Sequence, residues 1–401
     1  MDTTLAKKVV FDIVSSVKGG SGKSTYSLLL AAYYNAQPNT IAYVLDLDLR
    51  GTSWEKNYGI YINTRFFENQ DENSLSDYYN ASCEEALALQ ENSKEMRKRY
   101  IDYPFINSLM WNFKAFKSRE FWSEINYKAE YKDKLEEKII RLCPACVQDG
   151  AEIDQLEVDI FEYTISQIIL YILEHHYSHD DDKEEVHIIL DMPPNYEKHA
   201  EAVVKHLLTN NGSKLFQTAK NRDGCFKVNS NLAAKHYLPY QIHLFMLCAI
   251  SPAHLEQNSY YLYRWLKDRK YSDGLVDLLN DKRECRRFKV SFILNDISQI
   301  LPNLIRSEGE VPSDIEIATW AQSVSDQRKA DNSSYYTQVI SLMNGLVEDG
   351  GSHVVLRAFP HLSLPATNWY WSTSIKPQST QLKIEKGIID AIENTLKQSG
   401  T

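Results

Sequence analysis

The stretch Val9–Thr25, VVFDIVSSVKGGSGKST, decides how the rest of the chain is read. Its first half, VVFDIVSS, is a β-rich apolar run, and its second half is a glycine turn. Tyr26–Asn35 is helical in composition and stops at Gln37-Pro38-Asn39. Thr40–Leu49, TIAYVLDLDL, then reads as a second buried strand ending in acids. Strand, glycine turn, helix and strand make one βαβ unit, which predicts a parallel sheet with right-handed crossovers. Within the turn, Gly19, Gly20 and Gly22 let the backbone bend tightly and aim its N–H groups inward at phosphate oxygens. Lys23 is placed to neutralise β- and γ-phosphates, and the Ser24 hydroxyl to ligate Mg²⁺. The helix beginning near Ser24 adds its positive end to the same point. Lys18, Gly19, Gly20, Ser21, Gly22, Lys23, Ser24 and Thr25 are the residues expected around the nucleotide.

The same logic recurs further on. Ile139–Val147 reads as a short strand, and a helix is expected from about Asp154 to His176. Its apolar positions Leu156, Ile160, Ile165, Ile168, Ile169 and Ile172 recur at steps of three or four, and Asp154 and Glu157 have capping-box spacing at its start. The strand Val186–Leu190 runs into Asp191-Met192-Pro193-Pro194. Three more strands are expected at Ile242–Ile250, Phe288–Leu294 and Val354–Phe359, separated by helical stretches. The whole predicts a doubly wound, mostly parallel α/β sheet of seven or eight strands flanked by helices. In such sheets ligands bind at the carboxyl ends of the strands, where Asp48 and Asp191 both lie. One carboxylate there can hold a Mg²⁺-bound water and the other can orient the nucleophile. Asp46 shares their face by strand parity but lies a full pleat deeper. Capping a loop is the competing role for each of the three.

The loop Lys18-Gly19-Gly20-Ser21-Gly22-Lys23-Ser24 lacks the first glycine of the ordinary phosphate-loop pattern, since Val17 stands six residues before Lys23. It resembles instead the deviant Walker A loop of the ParA/MinD family of dimeric ATPases. The resemblance implies that Lys18 reaches across a dimer interface to the partner's nucleotide. Val44-Leu45-Asp46-Leu47-Asp48 resembles the family's switch I strand, which implies that Asp48 positions the attacking water. Asp191-Met192-Pro193-Pro194 is similar to its Walker B, D-x-P-P. Asn295, in Asn295-Asp296, and Pro360 match the strand-end loops that contact the base. The implied catalytic residues are Lys18, Lys23 and Asp48, and the implied Mg²⁺ ligands are Ser24, Asp48 and Asp191. The chain departs from the family after Asp48, with Leu49-Arg50-Gly51 where Pro-Gln-Gly is usual.

Asp48 and Asp191 are far apart in sequence, and the excess is assigned to an insertion. The ATPase domain is expected at 1–59 and 136–401, with a helical insertion at 60–135. Ser82 and Glu85 form a capping box in that insertion, and ten aromatics crowd residues 100–131. Residues 94–132 hold nine Lys and Arg against five acids, and residues 264–289 again nine against five. Such basic, aromatic-interleaved surfaces can bind nucleic acid, although the aromatics also suit a small core of the insertion itself. The whole chain points the other way in charge. Its 401 residues carry 44 Lys and Arg against 54 Asp and Glu, a net −10, which argues against a protein coated with nucleic acid. With 43% hydrophobic and 24% charged residues the chain can build a core and is not a disordered one.

Other features exclude classes. The longest apolar runs fall far short of the ~20 residues of a membrane span, and the N-terminal stretch is not expected to be a secretory signal. Six cysteines are too sparse for a disulfide scaffold, so a reduced, cytoplasmic protein is expected. Cys143-Pro144-Ala145-Cys146 could contribute half of a metal site in a symmetric dimer, but a single C-x-x-C at a strand end more readily packs as two small apolar residues. Gln381–Lys397 carries Ile384, Ile388, Ile389, Ile392 and Leu396 at helical spacing. Its polar face mixes both signs, so it is expected to be the last helix of the α/β fold and not a lipid-seeking one.

The function expected from the resemblance is Mg·ATP-driven homodimerisation and hydrolysis that resets it, serving partitioning or positioning of DNA cargo, as in plasmid or chromosome segregation. A protein-positioning ATPase whose insertion docks a protein partner without DNA is the first alternative. A metal-cluster carrier using Cys143 and Cys146 is the second.

Overall fold

The computed structural model describes residues 8–48, 106, 123–131, 134–143, 145, 165, 168–169, 172–173, 185–194, 240–249, 257–258, 288–295, 354–359, 382–384, 392–393 and 396. In β1 (Lys8–Ser15) every residue after Lys8 is buried. Val10, Asp12 and Val14 face one side and Phe11, Ile13 and Ser15 the other, as strand parity requires. A strand buried on both faces must be roofed on both, which is the environment of a central strand in a parallel sheet.

The chain continues through α1 (Lys23–Ala36), β2 (Thr40–Asp46), β3 (Ser123–Tyr131), β4 (Lys134–Cys143), β5 (Glu185–Asp191), β6 (Tyr240–Ala249), β7 (Phe288–Asn295), β8 (Val354–Phe359) and β9 (Leu382–Ile384). Among the described residues these strands form one sheet in the order β8-β7-β6-β1-β5-β2-β4-β3-β9. Every neighbouring pair from β8 across to β4 is parallel. β3 runs antiparallel to β4 and carries β9 parallel to itself at the edge. Because β1 sits between β5 and β6, strands close in sequence lie apart in space, and successive units wind outward in both directions. The fold is a doubly wound, mostly parallel α/β sheet with helices packed on it.

α1 starts at a glycine and ends at a proline. Gly22 is its N-cap, with φ 89°, a left-handed conformation that L side chains rarely take. At the other end the Gln37 N–H donates to the Tyr34 carbonyl, and Pro38 cannot extend the helix. Asn35 then ties the helix end to the sheet. Its Oδ1 accepts from the Ala42 N–H at 2.8 Å, and its Nδ2 donates to the Ile139 carbonyl at 3.0 Å. The buried face of α1, Tyr26, Leu29, Leu30 and Ala32 among others, packs on Val14, Ala42, Val44, Ile140, Leu142, Ile189, Phe245, Leu247 and Ile293. Fully burying one such Leu stabilises by about 1.5–3 kcal/mol. Ile392 and Leu396 pack into the same layer. The opposite face is roofed as well, since Ile13, Tyr43, Leu45, Leu190 and Met246 are all at most 1% exposed.

The structure changes four expectations. Nine strands stand where seven or eight were expected. The segment 60–135 is not helical throughout: Ser123–Tyr131 is β3, and the expected boundary at 135 falls inside β4. The reason is a period-2 pattern, Ile125, Tyr127, Ala129 and Tyr131 alternating with Asn126, Lys128 and Glu130, which suits a strand paired to β4. Ile106 is helical and buried, and the remainder of 60–122 lies outside the described residues. The strand expected at Ile139–Val147 ends at Cys143. Finally, Gln381–Lys397 opens with strand β9 before helical residues at 392, 393 and 396. Within the helix expected at 154–176, the described residues Ile165, Ile168, Ile169, Ile172 and Leu173 are helical and at most 2% exposed.

At the amino ends of the parallel strands a polar cluster is buried. His187 Nδ1 lies 2.6 Å from Asp12 Oδ2, and its Nε2 lies 3.1 Å from Glu185 Oε1. Lys8 donates to the same Glu185 oxygen at 3.1 Å. The Tyr34 ring stacks on the imidazole at 3.4 Å between centroids, and its hydroxyl donates to Asp12 Oδ1 at 3.4 Å. Register produces this meeting. Val10 pairs with His187 across β1 and β5, so His187 shares a face with Asp12, one diagonal step along.

Candidate functional site

The carboxyl ends of β1, β2 and β5 carry the residues singled out in the sequence. β1 ends at Ser15, and the chain turns through Ser16–Gly22 into α1. Gly20 and Gly22 both have positive φ, 75° and 89°, so these two positions require glycine for the turn itself. Gly19 and Gly20 are exposed, and a Cβ built on either meets nothing within 4 Å. The loop therefore presents an open concave backbone. α1 begins with no side-chain cap on its N-terminus and no acid in its first turn. Its positive dipole end lies at the loop, and the helix's own first turn supplies no acid to offset it.

A second anchor holds the loop from behind. The Val17 N–H donates to Asn258 Oδ1 at 2.8 Å. Asn258 is fully buried, and its side chain also hydrogen-bonds the buried Cys248 thiol near the end of β6. The Lys18 N–H reaches back to Ser16 Oγ at 3.4 Å. Asn258 is the positioning residue that sequence reading missed. It stands in an unremarkable polar stretch, and only the folded chain brings its side chain to the Val17 N–H.

The charged groups meet at the register point of three strands. Asp191 pairs with Val14 on one side and with Asp46 on the other. Leu47 N–H donates to the Asp191 carbonyl at 2.9 Å, and Met192 N–H to the Val14 carbonyl at 3.0 Å, so the strand ends are locked together. Lys23, the first residue of α1, is only 7% exposed. Burial pulls its ammonium below the ordinary lysine range, while the Asp191 and Asp48 carboxylates beside it favour the charged form. Lys23 is thus a buried cation held by two acids from two strands.

Asp46 behaves differently from Asp48. Its carboxylate accepts the Asp48 N–H at 3.0 Å and the Ala145 N–H at 3.4 Å, and it is 2% exposed. Burial pushes its pKa well above the usual carboxylate range, and the nearby Asp191 and Asp48 charges push it the same way. Asp46 therefore works as a cap that fixes the turn after β2, leaving Asp48 half-buried and facing the loop region. The depth expected from strand parity is what separates the two acids.

Ser24 and Thr25 lie in the first turn of α1, both half-buried. The oxygen donors Ser24, Asp48 and Asp191 are the hard ligands that Mg²⁺ takes. Among the described residues no group of three His, Cys, Asp or Glu is arranged to hold a metal by itself.

The remaining candidates are scattered. Asn295 ends β7, paired with Ala249 and Phe359 at the carboxyl edge of the sheet, and Pro360 lies outside the described residues. Cys143 is fully buried at the end of β4, and burial alone pushes its thiol strongly toward the protonated form. It packs as a small apolar residue. Cys146 lies outside the described residues, as do both basic stretches except where β3 and Phe288–Lys289 cross them. Among the described residues no helix is long and apolar enough to cross a membrane.

No known family model matches the chain, and no curated protein does. Solved structures similar to it are of ParA and MinD proteins. The structure of pNOB8 ParA matches at a TM-score of 0.38 and 11% identity, covering 97% of this chain and 89% of that one. The structure of pNOB8 ParA bound to nonspecific DNA matches at 0.38 and 12%, covering 98% of each. The MinC:MinD cell division protein complex of Aquifex aeolicus matches at 0.37 and 11%, covering 99% of this chain and 98% of that one. The fold assignment itself stands on the strand order and the glycine loop.

Proposed function

We propose that the chain is a Mg²⁺-dependent ATPase of the ParA/MinD type, which dimerises on ATP and is reset by hydrolysis. The observation that carries this is the buried Lys23, held beside Asp48 and Asp191 at a glycine-built, uncapped helix N-terminus. Backbone N–H groups of Gly19–Ser24 would cradle the phosphates, and Lys23 would trade its carboxylate neighbours for phosphate oxygens. Ser24, Asp191 and Asp48 would hold Mg²⁺, which supplies positive charge against the negative charge developing on the phosphoryl oxygens. Asp48, half-buried on the loop side of the Asp46 cap, would orient the water. Lys18, half-buried with a side chain at the loop's outer turn, would complete the site of a second copy, as the family resemblance implies. The insertion expected at 60–135 would lie outside the nucleotide site.

The partners proposed are a second copy of the chain and then nonspecific DNA, with partitioning of DNA cargo as the outcome. A protein partner in place of DNA is the alternative reading. Mg·ATP titration of wild type and Lys18→Ala, followed by sedimentation with a non-hydrolysable analogue, tests the first part. Wild type should bind and dimerise, and Lys18→Ala should bind as a monomer; a normal Lys18→Ala dimer contradicts a shared site. A DNA mobility shift with and without ATP separates DNA cargo from a protein partner.

A further inference from the structure

We propose that the amino ends of β7, β6, β1 and β5 form a second binding site, at the opposite end of the sheet from the phosphate loop, for a small organic anion carrying a carboxylate or phosphate. A cavity of about 250 Å³ opens there against the C-terminal part of α1. Its polar lining is Lys8, Tyr33, Tyr34, His187, Gln241, His243, Lys289 and one carboxylate, Glu185, which is already paired with Lys8 and His187; Val10, Ile242 and Leu396 are apolar walls. The volume lies below the ~300–1,000 Å³ typical of drug-sized pockets, so the ligand is of small-metabolite size.

The charges are unevenly matched. Lys8 is paired with Glu185 at 3.1 Å, and His187 with Asp12 at 2.6 Å. Among the described residues Lys289 has no such carboxylate. It is held half-buried, where burial and the neighbouring Lys8 charge both disfavour its ammonium form. A bound anion would reverse both effects at once, by neutralising Lys289 and by screening it from Lys8. The His187 imidazole is pinned on both nitrogens and roofed by Tyr34, so the floor of the cavity is rigid and its positive side is preorganised. Gln241 at the rim adds neutral donors. The apolar walls leave room for a short hydrocarbon part beside the anionic group. Nothing in this argument depends on nucleotide binding.

The test uses the full chain with two probes, inorganic phosphate and benzoate, each titrated by calorimetry and by thermal unfolding. The phosphate arm is run in a Lys23→Ala background, so that the phosphate loop does not contribute. At least one probe should bind saturably and raise the unfolding midpoint, and which probe does so distinguishes a phosphorylated from a carboxylate ligand. Lys289→Ala should weaken that binding by about tenfold or more, as loss of one charge-assisted contact does, and Lys289→Arg should restore most of it. Lys289→Ala removes a cation repelled by Lys8, so the variant should fold. Gln241→Ala, a milder change, should weaken binding less. The proposal is overturned if neither probe binds saturably, or if the binding seen is unchanged in Lys289→Ala.

Discussion

The two ends of one parallel sheet handle buried charge in opposite ways. At the amino end, Asp12 and Glu185 face Lys8 and His187, and each carboxylate has a cation within 3.1 Å. At the carboxyl end, Lys23 is the buried cation that the described residues place beside Asp48 and Asp191, and Asp46 lies against both acids. The four groups of the first arrangement are paired and hydrogen-bonded, as a partly buried structural cluster must be, and only Lys289 beside them lacks a described carboxylate. The second crowds three acids together and includes one, Asp46, whose ionisation burial and its neighbours oppose. A fold keeps such an imbalance where a ligand corrects it, and Mg²⁺ with its nucleotide is the correction proposed here.

Breaking the carboxyl end should give the largest effect. Lys23→Ala removes the buried cation beside Asp48 and Asp191 and should weaken Mg·ATP binding by about a thousandfold or more, roughly 4 kcal/mol. Equilibrium titration checks this, and wild-type affinity would remove the site from the loop. Asp48→Ala should bind ATP but turn it over ~10²–10³ more slowly, about 3–4 kcal/mol of barrier. Single-turnover hydrolysis is the readout, and the ATP dimer should persist longer in size-exclusion chromatography.

Breaking the amino end should touch stability and spare the nucleotide. Asp12→Ala leaves a buried imidazolium with one carboxylate in place of two. The expected loss is about 3 kcal/mol, toward the low end for broken buried pairs because Glu185 still holds His187. Urea unfolding measures it, and Mg·ATP affinity of the folded protein should not move.

The same pair sets a pH dependence. Burial opposes the charged form of His187, but Asp12 and Glu185 outweigh it and raise the folded pKa above the ordinary 6.5. Its contribution is therefore fully present below about pH 6.5 and is lost as pH rises through the raised folded value. The His187 hydrogen bond draws Glu185 down from 4.5 to about 2, so its contribution is present above 4.5 and is lost as pH falls toward 2. Among the described residues Tyr33, Tyr34, Lys8, His243 and Lys289 are the other titratable groups lining the cavity beside the imidazole. Tyr34 is held neutral by burial and by Asp12. Wild type should lose stability relative to Asp12→Ala as pH rises above 6.5, and parallel urea midpoints above 6.5 would contradict the assignment.

The smallest change sharpens the boundary between the ends. Asn258→Ala removes the acceptor for the Val17 N–H and should cost about 1–2 kcal/mol, with a modest weakening of ATP binding because the loop loses its anchor. Equal losses of stability but no change in affinity would show that Asn258 supports the core only.

Much of this was legible in the chain. The glycine loop, the strands flanking it and the acids at their ends sit within contiguous patterns, and β8 matches its expected bounds residue for residue. What sequence could not supply was register. Asp12 and His187 are far apart in the chain, and only the Val10–His187 pairing brings them together. Asn258 is hidden for the same reason. The strand at Ser123–Tyr131 was legible in its alternation but was masked by the aromatic crowding around it, which reads equally as a helix core.

Amide hydrogen exchange with and without Mg·ATP compares the two ends of the sheet in one experiment. The account predicts strong added protection across Lys18–Thr25 and at Leu47–Asp48 and Asp191–Met192, with no change at Lys8–Val10 or Glu185–His187. Protection at the amino ends with none in the loop would contradict it.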